Sequence, residues 1–452
     1  MVDRDDPVPS LNDFATWAPV LRLLRDNHAD GQAARTGRVA GSIGRDGWSL
    51  PLRGRMPESG RAAAERVRSV LADTGVEEIA FTADISPSGR TELRLLALSP
   101  AVDPGIGTPH PGALRLVEGA LPQPWRVLPD PAPGAVPAPS ADPVLLERTL
   151  RERLPDAIGA TEAEIAAAEA RLGVTLPEEL RAIYRVTRSR WEDWGDDYEA
   201  ATRHWTAVGC ELFGLDDLYI ADAESRPCRW EFAAMEAVDT APDAAVQGVV
   251  GSPGWIAFGD NGGGDRLAVD LTPGPAGHLG QVVFLSHEEN IGASLVADSL
   301  TDLVTNRRGQ RARSSGGERP SPVAYVNVRR LPSIEAAAHP GLEVLSIGVW
   351  DDPPLSLAPV VGLPRLRTLS AYPGTLANPL EIVGLTELEF LEIGPDDWRV
   401  LLDAGAVPRG LSAAAVLVRG TQDVLSTVSL ANEILALWNR PPIIQTVLEG
   451  EL

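Results

Sequence analysis

Residues 254–270 read Gly-Trp-Ile-Ala-Phe-Gly-Asp-Asn-Gly-Gly-Gly-Asp-Arg-Leu-Ala-Val-Asp, and they constrain the fold more than any other stretch. Two apolar runs, Trp255–Phe258 and Leu267–Leu271, flank a loop of glycine, carboxylate and carboxamide residues. Glycine takes positive φ at no steric cost, and Asp and Asn bond their own backbone in turns, so the pattern predicts a β-hairpin. A glycine-rich turn by itself carries no function, and the neighbouring sequence has to supply one.

Upstream, Thr161 stands as a helix N-cap with Glu164 in the capping-box position; Ile165, Ala168 and Leu172 follow at helical spacing, and Gly173 is placed to stop the helix. Val174-Thr175-Leu176-Pro177 then leads into a second helix, with Pro177 expected in its first turn. Downstream, Gly280–Glu288 reads as a strand and Val296–Val304 as a closing helix. This order of helix, Leu-Gly-Val-x-Leu-Pro, helix and Trp-led hairpin resembles the SUKH superfamily. That group includes yeast Smi/Knr-type cell-wall regulators and many bacterial immunity proteins. The resemblance covers about residues 144–310, and its motif positions are Leu172, Gly173, Leu176, Pro177, Trp255, Gly259, Asp260, Gly264, Asp265 and Asp270. These are read as structural: glycines for the turn, Trp255 and Phe258 for the core, Asp260 and Asp270 for local hydrogen bonds. The chain departs from the family after Tyr184, where an Asn-Gly turn is replaced by a longer segment through Tyr198.

The resemblance and the composition together predict an α+β multidomain chain. An N-terminal α+β domain spans 1–128, with helices at Phe14–Leu24 and Gly60–Asp73 and strands at Gly37–Leu52, Glu78–Thr82 and Glu92–Leu98. A Pro/Ala linker, expected to be extended and semi-rigid, occupies 129–143, and the SUKH-type α+β domain 144–310. A second linker at 311–320 precedes a leucine-rich-repeat-like α/β solenoid over 321–452. The repeat reads Val323–Val328, Leu342–Ile347, Leu366–Ala371, Leu388–Ile393 and, more weakly, Leu411–Val416, with starts 19, 24, 22 and 23 residues apart. Thr421–Arg440 is expected to cap it as a helix burying Val424, Val428, Leu430, Ile434, Leu435 and Trp438.

Net charge is −23, and all 40 basic residues are arginine. Arginine without lysine, beside abundant Ala, Gly and Pro, points to a GC-rich bacterial coding background. The acidity disfavours direct nucleic-acid binding and suits a cationic protein partner, or serves solubility alone. No apolar run has the length of a membrane span, the acidic start lacks a signal peptide's pattern, and two cysteines make no disulfide framework. The expected compartment is the cytoplasm.

Catalytic and metal patterns are wanting. Asp260, Asn261, Asp265 and Asp270 lack the alternating spacing and closing Glu of a calcium loop. His204, Cys210, Cys228 and His278 contain no paired zinc-ligand spacing. Cys210 near His204 has no orienting carboxylate at useful spacing, and Gly262-Gly263-Gly264 is followed by a strand rather than by Gly-Lys and a helix. A non-enzyme without cofactor or metal is expected. The candidate partner-binding residues are Trp191, Glu192, Asp193, Trp194, Asp196, Asp197 and Tyr198, where aromatics alternate with acids just before His204-Trp205. Residues 142–310 hold 30 acidic against 14 basic side chains, a balance of −16. The family resemblance then implies an immunity-type protein that neutralises a toxin, a cationic nuclease being the best fit to this charge; the alternative is a regulatory scaffold of the Smi/Knr kind.

Overall fold

The computed structural model describes residues 10–28, 37–52, 55–74, 76, 78–105, 108–130, 132–306, 320–419 and 422–452. The acidic start and nearly all of the 311–320 linker lie outside these residues. The fold is mixed α/β with three sheets. Its contacts form two compact units, one of residues 1–120, 229–231 and 324–452, the other of residues 121–228 and 232–323.

In the first unit, helices Phe14–His28 and Glu58–Thr74 pack on a five-stranded antiparallel sheet. Trp17, Leu21, Leu71, Phe81 and Leu93 fill the core between them, with the Trp17 and Phe81 rings 5.3 Å apart. One edge of this sheet is the last strand of the chain, Ile444–Glu451, paired along its length with Arg90–Ala97. Gly450 is required there, because a Cβ would stand 2.1 Å from the Phe14 ring.

The repeat segments supply the other sheet of this unit. Val344–Ile347, Thr368–Ala371, Phe390–Ile393 and Ala413–Val416 run parallel, in registers Val344↔Thr368, Thr368↔Phe390 and Phe390↔Ala413. Leu345, Leu369, Leu391 and Ala414 stack into one core on one side of the sheet. On the other side Trp230, from the short 229–231 segment, stacks on Phe390 at 6.4 Å and its backbone N–H donates to Asp103. The parallel run stops where Pro111–Arg115 pairs antiparallel with Ala413–Val416. The sequence places residues 1–128 and 321–452 in separate domains, whereas here each supplies strands to the other's sheet: Pro111–Arg115 and Val102–Pro104 extend one, and Ile444–Glu451 edges the other. Such pairing is non-local, and periodicity along the chain carries no trace of it. The C-terminal helix runs Val424–Ala436, shorter than expected, and leaves Trp438 half-buried under the Arg409 guanidinium.

In the second unit, helices Pro143–Arg153, Glu162–Leu172, Glu178–Val186 and Tyr198–Val208 precede a six-stranded sheet. The capping box forms: Glu164 accepts from Thr161 N–H at 2.7 Å while Thr161 Oγ1 accepts from Glu164 N–H at 3.3 Å. Gly173 ends that helix at φ +70°. Pro177 lies one residue before the next helix rather than inside its first turn. The central strand, Trp255–Asp260, is buried on both faces. Ile256 and Phe258 meet the helices, and Trp255 and Ala257 form a second core with Val249, Val283 and Leu285. This accounts for its unbroken apolar run.

Two expectations change here. The closing segment is a strand, Ser294–Ala297, followed by a shorter helix, Leu300–Thr305, because Ser299 caps the helix by accepting from Asp302 N–H. The Pro/Ala linker is no free spacer either. Pro137 bridges Leu279, Leu279 N–H donates to Val136, Ala138 is buried, and buried Gln247 exchanges hydrogen bonds with the Asp130 backbone. Proline cannot donate to a ladder, yet its carbonyl neighbours can still accept, so a Pro-rich strip can lie along a sheet margin.

Buried Glu179 ties this arrangement together. Its carboxylate accepts from Leu300 N–H at 3.2 Å, Thr301 N–H at 3.0 Å, Thr301 Oγ1 at 2.5 Å and Asp142 N–H at 3.3 Å. Glu179→Ala should destabilise this unit by about 2–4 kcal/mol, since it strands donors at two helix starts. Urea denaturation monitored by tryptophan fluorescence measures the loss, and Glu179→Gln, which can still accept, should lose less.

Candidate protein-binding site

The hairpin tip consumes its own polar groups. Asp260 accepts from Gly262 N–H at 2.6 Å, and Asn261 accepts from Gly263 N–H at 2.8 Å and Asp265 N–H at 3.2 Å. Gly262 and Gly264 sit at φ +82° and +97°. Asp265 accepts from both the backbone N–H and the ring Nδ1 of His287, at 2.9 and 2.7 Å, and these bonds hold its carboxyl below the usual range. Asp260 pairs with Arg266, whose guanidinium lies 5.7 Å over the Phe213 ring. Asp270 is fully buried and accepts from Thr272 N–H and Gln281 Nε2; burial pushes its carboxyl up against those bonds. Gly259 leaves room for Cys210, whose Sγ would stand 2.6 Å from a Cβ there. Leu172 packs against the helical core, and the N–H of buried Leu176 donates to Glu169.

The acidic-aromatic segment is a short 3-10 turn, Trp191–Trp194, followed by the helix Tyr198–Val208. Asp193 accepts from Arg190 N–H at 2.9 Å, which lowers its carboxyl, and the Arg190 guanidinium reaches both Asp193 and Asp217. Asp197 caps the helix by accepting from Ala200 N–H at 3.0 Å. Trp191 and Trp194 are half-buried, with Trp194 5.8 Å from the His204 ring. Glu192, Asp196, Asp197, Tyr198 and Glu199 are exposed. The tryptophan that reaches solvent is Trp205, 40% exposed, on the same helix as Tyr198 at 67%. Trp205 lies beyond the alternating acids and aromatics because helical phase, rather than local composition, brings it out. Glu192 also bears on Glu211, which pairs with Asp260 across the sheet. Burial first, then the Glu192 charge, pushes the Glu211 carboxyl up. The loop and hairpin thus share one electrostatic neighbourhood.

A cleft of about 250 Å³ opens beside the hairpin, lined in part by Tyr219, Arg226, Arg266, His287 and Asn290. Arg226 donates to the carbonyls of Val250, Gly292, Ser286 and Glu289, so it holds the cleft's walls together. Gly264 and Arg266 bring the hairpin motif to one of its walls. Cys210 is buried, and desolvation pushes its thiol up to about 12. His204 shares a 2.8 Å hydrogen bond with Thr187 and is pulled down by burial, so it is neutral near pH 7. A thiol protonated at every physiological pH is no nucleophile. Among the described residues, no group of three or more His, Cys, Asp or Glu side chains could hold a metal ion, and no helix is long and apolar enough to cross a membrane.

Residues 159–306 match the model of the SMI1 / KNR4 family (SUKH-1). The chain carries an SMI1/KNR4 domain. A Neurospora crassa protein named "Glucan synthesis regulatory protein" is 39% identical over 67 residues, 15% of this chain and 13% of that protein. The Schizosaccharomyces pombe "Cell wall biosynthesis/cell cycle regulator smi1" is 29% identical over 162 residues, 32% of this chain and 30% of its own length. A Yarrowia lipolytica "KNR4/SMI1 homolog" is 44% identical over 50 residues, 11% and 7% of the two chains. The chain therefore spans at most 30% of the length of these relatives. All three are fungal, where the composition pointed to bacteria. Within the SMI1/KNR4 domain, the matched region takes in the hairpin, the acidic turn and the helix that carries Trp205.

Two outcomes follow from the domain's geometry. Native thiol titration with a disulfide reagent at pH 8 should label Cys228 and leave Cys210 unmodified until the chain is unfolded. The Asp265 clasp on His287 should persist at neutral pH. Because the folded carboxyl is the more acidic, its contribution is present above the ordinary Asp range and lost as pH falls through the depressed value. Hydrogen exchange at His287 N–H measures it: protection should survive to pH 5 in the native chain and be lost in Asp265→Ala at any pH.

Proposed function

We propose that the chain is a non-enzymatic regulator that works by binding a protein partner through its SMI1/KNR4 domain. The observation that carries this reading is the match over 162 residues to a protein named as a cell wall biosynthesis and cell cycle regulator. A second relative is likewise named for regulation, of glucan synthesis. These names favour the regulatory alternative over the toxin-neutralising role. The cationic toxin stays a weaker reading, supported by the −16 balance of residues 142–310 alone.

In this proposal the partner meets the acidic turn, with Glu192, Asp193, Asp196, Asp197 and Tyr198 forming the outer surface and Trp191 and Trp194 bracing it from beneath. The parallel segments of the other unit are read as a degenerate leucine-rich repeat, on the strength of their 22–24-residue registers and stacked leucines. Its role is to stabilise that unit. Two unbridged cysteines favour the cytoplasm.

Affinity purification of the tagged full chain from its own cells tests the reading. A stoichiometric protein partner is expected, and Glu192→Gln with Asp196→Asn should weaken its retention at least tenfold at low salt. A partner whose lethality is relieved by the chain would return the immunity role, and recovery of the chain alone under cross-linking would remove the binding role.

A further inference from the structure

Resting on the regulatory reading, we propose that the exposed face of the helix Tyr198–Val208 is the docking surface, and that its occupant is an arginine- or lysine-rich segment of the partner. Tyr198, Thr202 and Trp205 are exposed, while Ala200, Ala201, His204, Ala207 and Val208 are buried. At 1.5 Å rise per residue, the two rings lie two turns apart, about 10 Å, on one stripe. Among the described residues no other tryptophan is as exposed as Trp205. An indole and a phenol held on a rigid helix present large contact area at little conformational cost.

Charge selects the occupant. Glu192, Asp196, Asp197 and Glu199 stand exposed around the start of this helix. The nearest cation before it, Arg190, is engaged with Asp193 and Asp217, which leaves Arg203 as the basic residue of the helix itself. Burial first, and then the Glu192 charge, raises the Glu211 carboxyl on the neighbouring strand. A guanidinium or ammonium group arriving here finds carboxylates and an aromatic face together, the geometry of a cation–π contact with flanking ion pairs. The same field repels phosphate backbones and anionic lipid.

Fluorescence anisotropy with the full chain and a labelled nine-residue arginine peptide tests the surface. Equal-length lysine, glutamate and Gly/Ser peptides serve as comparisons. The arginine peptide should bind, more weakly as salt rises, and the glutamate and Gly/Ser peptides should not. Because any acidic protein attracts a basic peptide, the deciding variants, at Trp205 and Tyr198, keep the charge. Trp205→Ala should weaken binding at least fivefold, Trp205→Phe should restore most of it, and Glu192→Gln with Asp196→Asn should flatten the salt dependence. Thermal melts confirm that the variants stay folded. Unchanged affinity in both Trp205→Ala and Tyr198→Ala overturns the docking surface. The regulatory reading stands if the partner recovered from cells still binds those variants, and fails separately if no partner is recovered at all.

Discussion

The strand Trp255–Asp260 is the constraint on which the SMI1/KNR4 domain depends. It pairs with Arg266–Asp270 on one side and with both Glu211–Leu212 and Tyr219–Ile220 on the other. Its alternate side chains enter two different cores, so neither face is free to slip. A one-residue shift would exchange Trp255 and Ile256 between cores of different shape, which makes the register strongly specified. Because that register is fixed, the hairpin tip, Glu211 and the acidic turn fall at defined places beside one another. The polar motif residues then finish the turn. Asp260, Asn261 and Asp265 have their acceptors filled by the loop's own amides and by His287.

The other unit solves a different problem, the exposed edges of its two sheets. A parallel run of short strands offers unpaired backbone at each end, an invitation to further pairing. Here one end is closed by Pro111–Arg115, from the N-terminal part of the chain. In return, the C-terminal strand Ile444–Glu451 lies along Arg90–Ala97. Separate folding of residues 1–128 and 321–452 would leave both edges open, so the interlock is a reason for the two parts to fold as one.

Much of this was legible in the chain because it is local. The Thr161–Glu164 capping box, the Gly173 stop, the hairpin and the parallel repeat each rest on contacts within a few residues or on a fixed period. The illegible parts are those decided at long range. Nothing near Pro137 predicts that it will lie against Leu279, and nothing in the composition of residues 444–451 says which strand they join. The candidate site shows the same division. Alternating acids and aromatics mark the turn, where Trp194 packs beside His204 and stays half-buried, while only helix phase tells that Trp205 comes out to solvent.

The domain's charge acquires meaning only once its arginines are located. Arg153, Arg171 and Arg226 donate to backbone carbonyls. Arg181 and Arg185 are locked among Glu162, Glu169 and Glu178, and Arg188 and Arg266 are held by Glu164 and Asp260. Arginine suits such work, since its planar fork satisfies two acceptors at once where an ammonium acts as a point charge. Cations so engaged cannot swing out to screen a neighbouring surface. The exposed carboxylates around the start of the Trp205 helix are therefore opposed by Arg203, on the helix itself, rather than by these engaged arginines. A net charge that would otherwise be a diffuse property of composition becomes a directed field at one aromatic face.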